Sequence, residues 1–191
     1  MRSDVMDENG TPLVAILRAD PAARANDANA FFEAAGFGRP VNADEPNSQL
    51  QVIAYRIDNV DTIFGAAYAV SPSLVVESLY FAGMAQDDAI SIATRIVAIE
   101  AVFVASDFRG REFGKDLIDA IEEQARAAGI EYLIAHVEAD ALGLHGFYRS
   151  LGFVVKPAGD PLTVEGTPMP FTDAYVDAVK ILTDSPSVAV R

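Results

Sequence analysis

Cysteine is absent from this chain of 191 residues, which excludes disulfides, thiol nucleophiles and thiolate metal sites together. Histidine occurs only twice, at His136 and His145, with no HxxxH spacing, so no metal is expected. No apolar run approaches the roughly 18 residues of a membrane span. The opening residues, Met1 to Glu8, lack the apolar centre of a secretory signal. These absences point to a cytoplasmic protein that does not enter a membrane. Cations are scarce as well: 14 Lys and Arg stand against 28 Asp and Glu, a net charge of −14. Such a surface repels phosphate backbones and anionic lipid, so neither nucleic acid nor membrane is expected as a partner. Cationic amines, by contrast, should be drawn to it.

What is present fits a globular protein. Half the residues are hydrophobic (51%) and 22% are charged, enough for one domain with a sizeable core. Residues 1–11 read as a mobile tail, 12–183 as a single domain, and 184–191 as a second tail. Leu13–Leu17 reads as a strand. Pro21–Ala35 reads as a helix, with Pro in the first turn and Gly36 as its stop. A polar loop follows over 37–48. Strands are expected over Leu50–Ile57 and Thr62–Val70, joined by the turn Asp58-Asn59-Val60-Asp61. Leu74–Phe81 reads as a further strand, and periodicity leaves 85–99 open between helix and strand. Ile99–Ala105 reads as a buried strand.

Phe113, Leu117, Ile121 and Ala125 recur every four residues and predict a helix over 113–128, stopped by Gly129. Tyr132–Val137 is a predicted strand. Asp140 is placed to cap a short helix with Leu144, Phe147 and Leu151 on its inner side; His145 is expected at the surface. A strand over Phe153–Lys156, a proline-rich loop over 157–173 and a strand over Tyr175–Leu182 complete the pass. The order implies mixed α/β, with a mainly antiparallel sheet and one crossover through helix 113–128.

The cations that do occur cluster. The turn Asp107-Phe108-Arg109-Gly110-Arg111-Glu112-Phe113-Gly114-Lys115 sits between a strand and a helix. It gathers two Arg, one Lys and backbone N–H groups at a helix start, where the dipole favours an anion. A pyrophosphate suits that place. Gly110 and Gly114 are one residue too close for a P-loop, Asp116 follows the Lys, and no GxGxxG is present. Carboxylate pairs are plentiful in so acidic a chain and single out no glycosidase site.

With this turn, the helix pattern, Phe147-Tyr148 and Gly152-Phe153 in hand, the chain resembles the GNAT superfamily of acyl-CoA-dependent N-acyltransferases. The likeness is close over 96–153 and looser over 50–182. That family opens its central helix with Q/R-x-x-G-x-G/A. Arg109 and Gly114 match, whereas the penultimate glycine is Glu112. The Asn usual at the start of the last helix is Ala141. The resemblance implies a sheet of about seven strands, a splayed parallel strand pair and flanking helices. It implies acetyl-CoA as co-substrate, with its pyrophosphate held at Arg109, Gly110, Arg111, Glu112, Phe113, Gly114 and Lys115. The pantetheine arm would lie along Val102, Phe103 and Val104, whose N–H groups would polarise the carbonyl. Tyr148 stands where the family protonates the departing thiolate, and a phenol near 10 suits that task.

For the base, three readings stay open. Glu100 lies at the strand position where several members keep a catalytic glutamate, and burial would raise a carboxyl there toward a base's range. His136 lies where N-terminal protein acetylating members keep theirs. A water chain is the third; Glu100 is slightly preferred. The implied reaction is direct attack by a primary amine in a ternary complex. The acceptor is a small cationic amine or a protein N-terminus, shaped by 21–48 and 71–95. The rival is a non-catalytic acyl-CoA-binding module, motivated by Glu112 and Ala141. A plain α/β domain without cofactor is a third class. Oligomeric state is open, a homodimer included.

Overall fold

Strand β1 (Val14–Ala19) and helix α1 (Pro21–Ala34) begin the fold, followed by β2 (Gln49–Arg56) and β3 (Asn59–Val70). Helices α2 (Ser73–Phe81) and α3 (Gln86–Ala93) lead to β4 (Ile96–Val104), α4 (Phe113–Ala127), β5 (Tyr132–Glu138) and α5 (Leu142–Ser150). Four strands close the chain: β6 (Val154–Val155), β7 (Thr163–Val164), β8 (Thr167–Pro168) and β9 (Tyr175–Ile181). This computed structural model describes residues 14–19, 21–38, 40–41, 49–56 and 59–191. The expected tail at 1–11, most of the polar loop and the first residue of the Asp58 turn lie outside the described residues.

Seven strands form one sheet in the order β1-β2-β3-β4-β5-β9-β6, and β7 and β8 form a separate pair. β4 and β5 are parallel, and their ladder runs for four pairs, Ile96↔Tyr132 to Ile99↔Ala135. β4 itself continues to Val104. β1 with β2, β5 with β9 and β6 with β9 are antiparallel. The mixed α/β sheet of seven strands with a parallel pair is therefore as expected.

Two compact units make up the chain, 1–69 with 100–124 and 70–99 with 125–191. In the first, α4 buries Phe113, Leu117, Ile118 and Ile121, the four-residue spacing read from sequence. On α1, Ala25, Ala28 and Phe32 are buried. Asn29 is buried beside them because both ends of its amide are satisfied: Nδ2 donates to the Val41 carbonyl at 2.8 Å and Oδ1 accepts the Val41 N–H at 2.9 Å.

The second unit corrects several expectations. Leu74–Phe81 is helix rather than strand. Val75 and Leu79 face the core four residues apart, while Leu74, Tyr80 and Phe81 are exposed, a helical period that the apolar run concealed. The open segment resolves as helix Gln86–Ala93 followed by strand from Ile96. The last residues do not trail off. Val188 and Val190 are buried in one cluster with Val75, Leu79, Ile96, Tyr132, Ile134 and Leu162, and Val190 bridges Val164. Glu131 fastens this end. Its carboxylate accepts the Ser187 hydroxyl (2.6 Å), the Ser187 and Val188 N–H groups (2.7 and 3.1 Å) and the Arg95 guanidinium (2.8 Å). The Tyr132 hydroxyl donates to the Val188 carbonyl at 2.7 Å.

Candidate active site

In the first unit the chain leaves β4 at Ala105, whose N–H donates to the Phe64 carbonyl at 2.7 Å. A single 3-10 turn, Ser106–Phe108, carries it to Arg109. Phe64 is the post around which this turn is built. Phe108 stacks on its ring at 4.3 Å and Phe113 meets it edge-on at 4.9 Å. Between those anchors, Gly110 and Glu112 take left-handed backbone, with φ of 75° and 64°. α4 begins directly after, at Phe113.

The consequence is a set of backbone donors without acceptors at the turn. Among the described residues no acceptor takes the N–H groups of Gly110, Arg111, Phe113 or Gly114. Unpaired N–H groups at a helix start, preceded by left-handed residues, form an anion-binding concavity. The side chains contribute unevenly. Arg109 Nε donates to the Val104 carbonyl at 2.9 Å, and its guanidinium lies 5.1 Å from the centre of the Phe103 ring. Arg111 is exposed, 6.0 Å from the centre of the Phe108 ring. Lys115 is paired with Asp119 one turn along the helix, so its ammonium is shared with a carboxylate.

Glu112 shows why the family pattern has glycine at this step. A side chain at φ 64° is strained, typically by about 1–2 kcal/mol. Glu112→Gly is expected to raise the melting temperature and to tighten coenzyme A binding, read by calorimetric titration. Unchanged affinity would mean that the carboxylate does not weigh on the anion site.

Val102, Phe103 and Val104 are half-buried on the stretch of β4 past its last pair with β5. The Phe103 ring meets Phe31 at 5.7 Å and Phe37 at 5.9 Å. Glu100 is exposed on the same strand, so the argument from burial for Glu100 as base falls away.

In the second unit, His136 projects from β5 directly opposite Asp177 of β9. Its Nδ1 is 2.7 Å from Asp177 Oδ1, with the imidazole 49% exposed and the carboxylate 12% exposed. Asp177 escaped the sequence reading. The signal was there, an acidic residue inside the apolar run Tyr175-Val176-Asp177-Ala178-Val179, but the register that pairs it with His136 is a tertiary property.

α5 is turned by about one residue from the expected phase. Leu144, predicted inside, is exposed, and His145, predicted outside, is buried. His145 is buried because its Nε2–H donates to the Glu138 carbonyl at 2.9 Å, which ties α5 to the end of β5. Asp140 does not cap the helix; Ala141 holds the N-cap position, with no side-chain bond.

This phase places Tyr148 inward, 8% exposed, between Phe147 and Phe153 at 5.4 and 5.2 Å. Burial pushes its phenol up to about 12. Among the described residues nothing accepts from or donates to its hydroxyl.

The chain matches the acetyltransferase (GNAT) family over residues 52–153, a stretch that includes the Arg109 turn, His136 and Tyr148. It is 36% identical over 56 residues to an L-methionine sulfoximine/L-methionine sulfone acetyltransferase of Pseudomonas paraeruginosa. That match spans 29% of this chain and 33% of the relative, so about a third of the relative's length is represented. A GNAT-family acetyltransferase of Staphylococcus aureus Mu50 has a similar fold, with a TM-score of 0.57 at 16% identity, over 89% of this chain and 99% of that one. Salmonella typhimurium yncA, solved with its cofactor acetyl-CoA, superposes with a TM-score of 0.54 at 16% identity, over 92% and 97% of the two chains. With more than half of its residues inside the family match, the chain belongs to the GNAT acetyltransferase family.

Proposed function

We propose that this protein is an N-acetyltransferase that moves the acetyl group of acetyl-CoA directly to a primary amine bound beside it. The observation that carries the reading is the row of N–H groups at Gly110, Arg111, Phe113 and Gly114 without an acceptor. A diphosphate would satisfy them, and Arg109 and Arg111 would add charge. Lys115 would join by loosening from Asp119. In the proposal residues 12–183 act as one acyltransferase domain, since the family match runs through both units.

The acceptor ammonium gives one proton to a base and becomes a neutral amine. Its nitrogen attacks the thioester carbonyl carbon, the C–N bond forms and the C–S bond breaks. The second nitrogen proton leaves as the amide forms, and the thiolate takes one proton. One proton is released to solvent per acetyl group transferred. Val102, Phe103 and Val104 would align the thioester by backbone bonds, and Tyr148 would serve the departing sulfur.

The acidic surface concentrates cationic amines. The matched stretch of the Pseudomonas relative adds L-methionine sulfoximine and L-methionine sulfone as first acceptors to try; spermidine and a short peptide with a free N-terminus complete the panel. Free-thiol release from acetyl-CoA with each acceptor tests the reading. Turnover on at least one supports it. Coenzyme A binding with no turnover on any amine would instead favour a sensor module, the reading that Glu112 at the turn motivates. Arg109→Ala is expected to weaken coenzyme A binding by about tenfold, the loss of one charge-assisted contact, with the protein still folded and its melting temperature lowered only by the loss of the Val104 and Phe103 contacts. An unaltered affinity would remove Arg109 from the diphosphate site.

A further inference from the structure

We propose that Asp177 is a positioning residue for acyl transfer, holding the His136 imidazole so that its Nε2 accepts the proton given up by the acceptor ammonium. This rests on the acetyltransferase reading above and chooses among the bases the sequence left open.

The geometry begins with register. His136 and Asp177 are directly opposed in the antiparallel ladder between β5 and β9, the arrangement in which cross-strand side chains meet. Nδ1 and Oδ1 are 2.7 Å apart. An ionised carboxylate only accepts, so the proton on that bond belongs to Nδ1 and the lone pair of the neutral ring is directed to Nε2. A base whose far nitrogen is fixed by a carboxylate is the general logic of an oriented proton acceptor.

Asp177 is built to hold still. Its carboxylate is only 12% exposed, and its neighbours Val176 and Ala178 are buried. Its carbonyl accepts the Lys156 N–H at 2.8 Å, and β6 pairs with β9 immediately beyond, at Val155↔Ala178. The carboxylate thus sits on a strand flanked on both sides, whereas the imidazole it holds is half open to solvent. Glu138 lies two residues along β5 with Tyr175 opposite it, and the Lys156 ammonium is occupied by the Pro161 carbonyl and Asp160. The Glu100 side chain, by contrast, is exposed and has no hydrogen-bond partner among the described residues.

The proton path is simple. Nε2 takes one proton from the ammonium, the imidazolium is stabilised by Asp177, and the proton passes to solvent after the amide forms. Asp177 touches neither the acceptor nor the acetyl group.

The test uses the full chain and whichever acceptor of the panel (L-methionine sulfoximine, spermidine or a free-N-terminal peptide) the wild type turns over fastest. His136→Gln should lower kcat about 10²-fold. Asp177→Asn should lower it at least about tenfold, because the amide removes the charge and can present an N–H to Nδ1. The double variant should lose no more than His136→Gln alone, as expected of two groups acting as one. Asp177→Glu, which keeps the charge, should recover part of the rate; it also stands in if the Asn variant fails to fold, as judged by its melting curve. An active wild type with Asp177→Asn unchanged in kcat overturns the proposal, as do losses that multiply in the double variant. No turnover by the wild type on any acceptor overturns the enzyme reading itself, and the dyad's role with it.

Discussion

Replacing Tyr148 with phenylalanine is expected to lower kcat by about 10²-fold while leaving the protein at least as stable. The two halves of that expectation have one cause. The phenol is buried between Phe147 and Phe153, and its hydroxyl has no partner among the described residues. A buried hydroxyl without a hydrogen bond costs on the order of 1–3 kcal/mol. Phenylalanine keeps the ring and removes that cost. The same oxygen is the proposed donor to the sulfur that leaves.

How it would help the sulfur follows from its acidity. Burial holds the phenol at about 12, well above a thiol near 8.5, so outright proton transfer to a free thiolate is uphill by about 5 kcal/mol. The group is therefore expected to act as a hydrogen-bond donor to charge that grows as the C–S bond breaks. Removing one such preorganised donor typically costs about 10²–10³ in kcat. Thiol-release kinetics and a melting curve on the same sample check both halves. Full activity in Tyr148→Phe would remove the residue from the chemistry. A large fall in melting temperature would show that the hydroxyl is structural.

The second large effect lies outside the site. Glu131→Ala is expected to cost about 1–3 kcal/mol of stability, the cost of leaving buried donors unsatisfied. Its carboxylate is the shared acceptor for Ser187, Val188 and Arg95, and alanine would strand those donors while loosening Val188 and Val190 from the core. Burial pushes this carboxyl up, but bonds from the Ser187 hydroxyl, Arg95 and the Val188 and Ser187 N–H groups outweigh it, and it lies below the ordinary carboxylate value. A carboxyl depressed in the folded state contributes stability above its unfolded pKa of about 4.3 and loses it as pH falls through the folded value. Wild type and Glu131→Ala should therefore differ most near pH 7 and draw together below about pH 4. Urea unfolding at several pH values reads this. A gap that stays constant down to low pH would mean that the ionised carboxylate is not what holds the C-terminus.

Much of the architecture was legible because it rests on periodicity. The four-residue spacing of Phe113, Leu117 and Ile121 marked α4, and the glycine-bearing turn before it is where the anion site is proposed. The errors share a physical origin. Leu74–Phe81 is rich in β-branched and apolar residues, and its helical period shows only when Val75 and Leu79 are seen to be buried and Tyr80 and Phe81 exposed. The phase of α5 was misjudged because a histidine was assigned to water and a leucine to the core. The Glu138 carbonyl reverses both by giving His145 a buried partner. The C-terminal residues looked like a tail because nothing local shows that Glu131, more than fifty residues away, collects their N–H groups. Asp177 is the same kind of omission, since strand register is set by the whole sheet. Contacts that depend on distant pairing were hidden, and so was helical period where apolar residues cover more than one face.

A crystal structure of the protein with coenzyme A measures the central claim most directly. The expected result is a diphosphate with oxygens about 3 Å from the N–H groups of Gly110, Arg111, Phe113 and Gly114, with Arg109 turned toward it. Those four N–H groups left without the diphosphate, while coenzyme A is bound elsewhere on the chain, would contradict it.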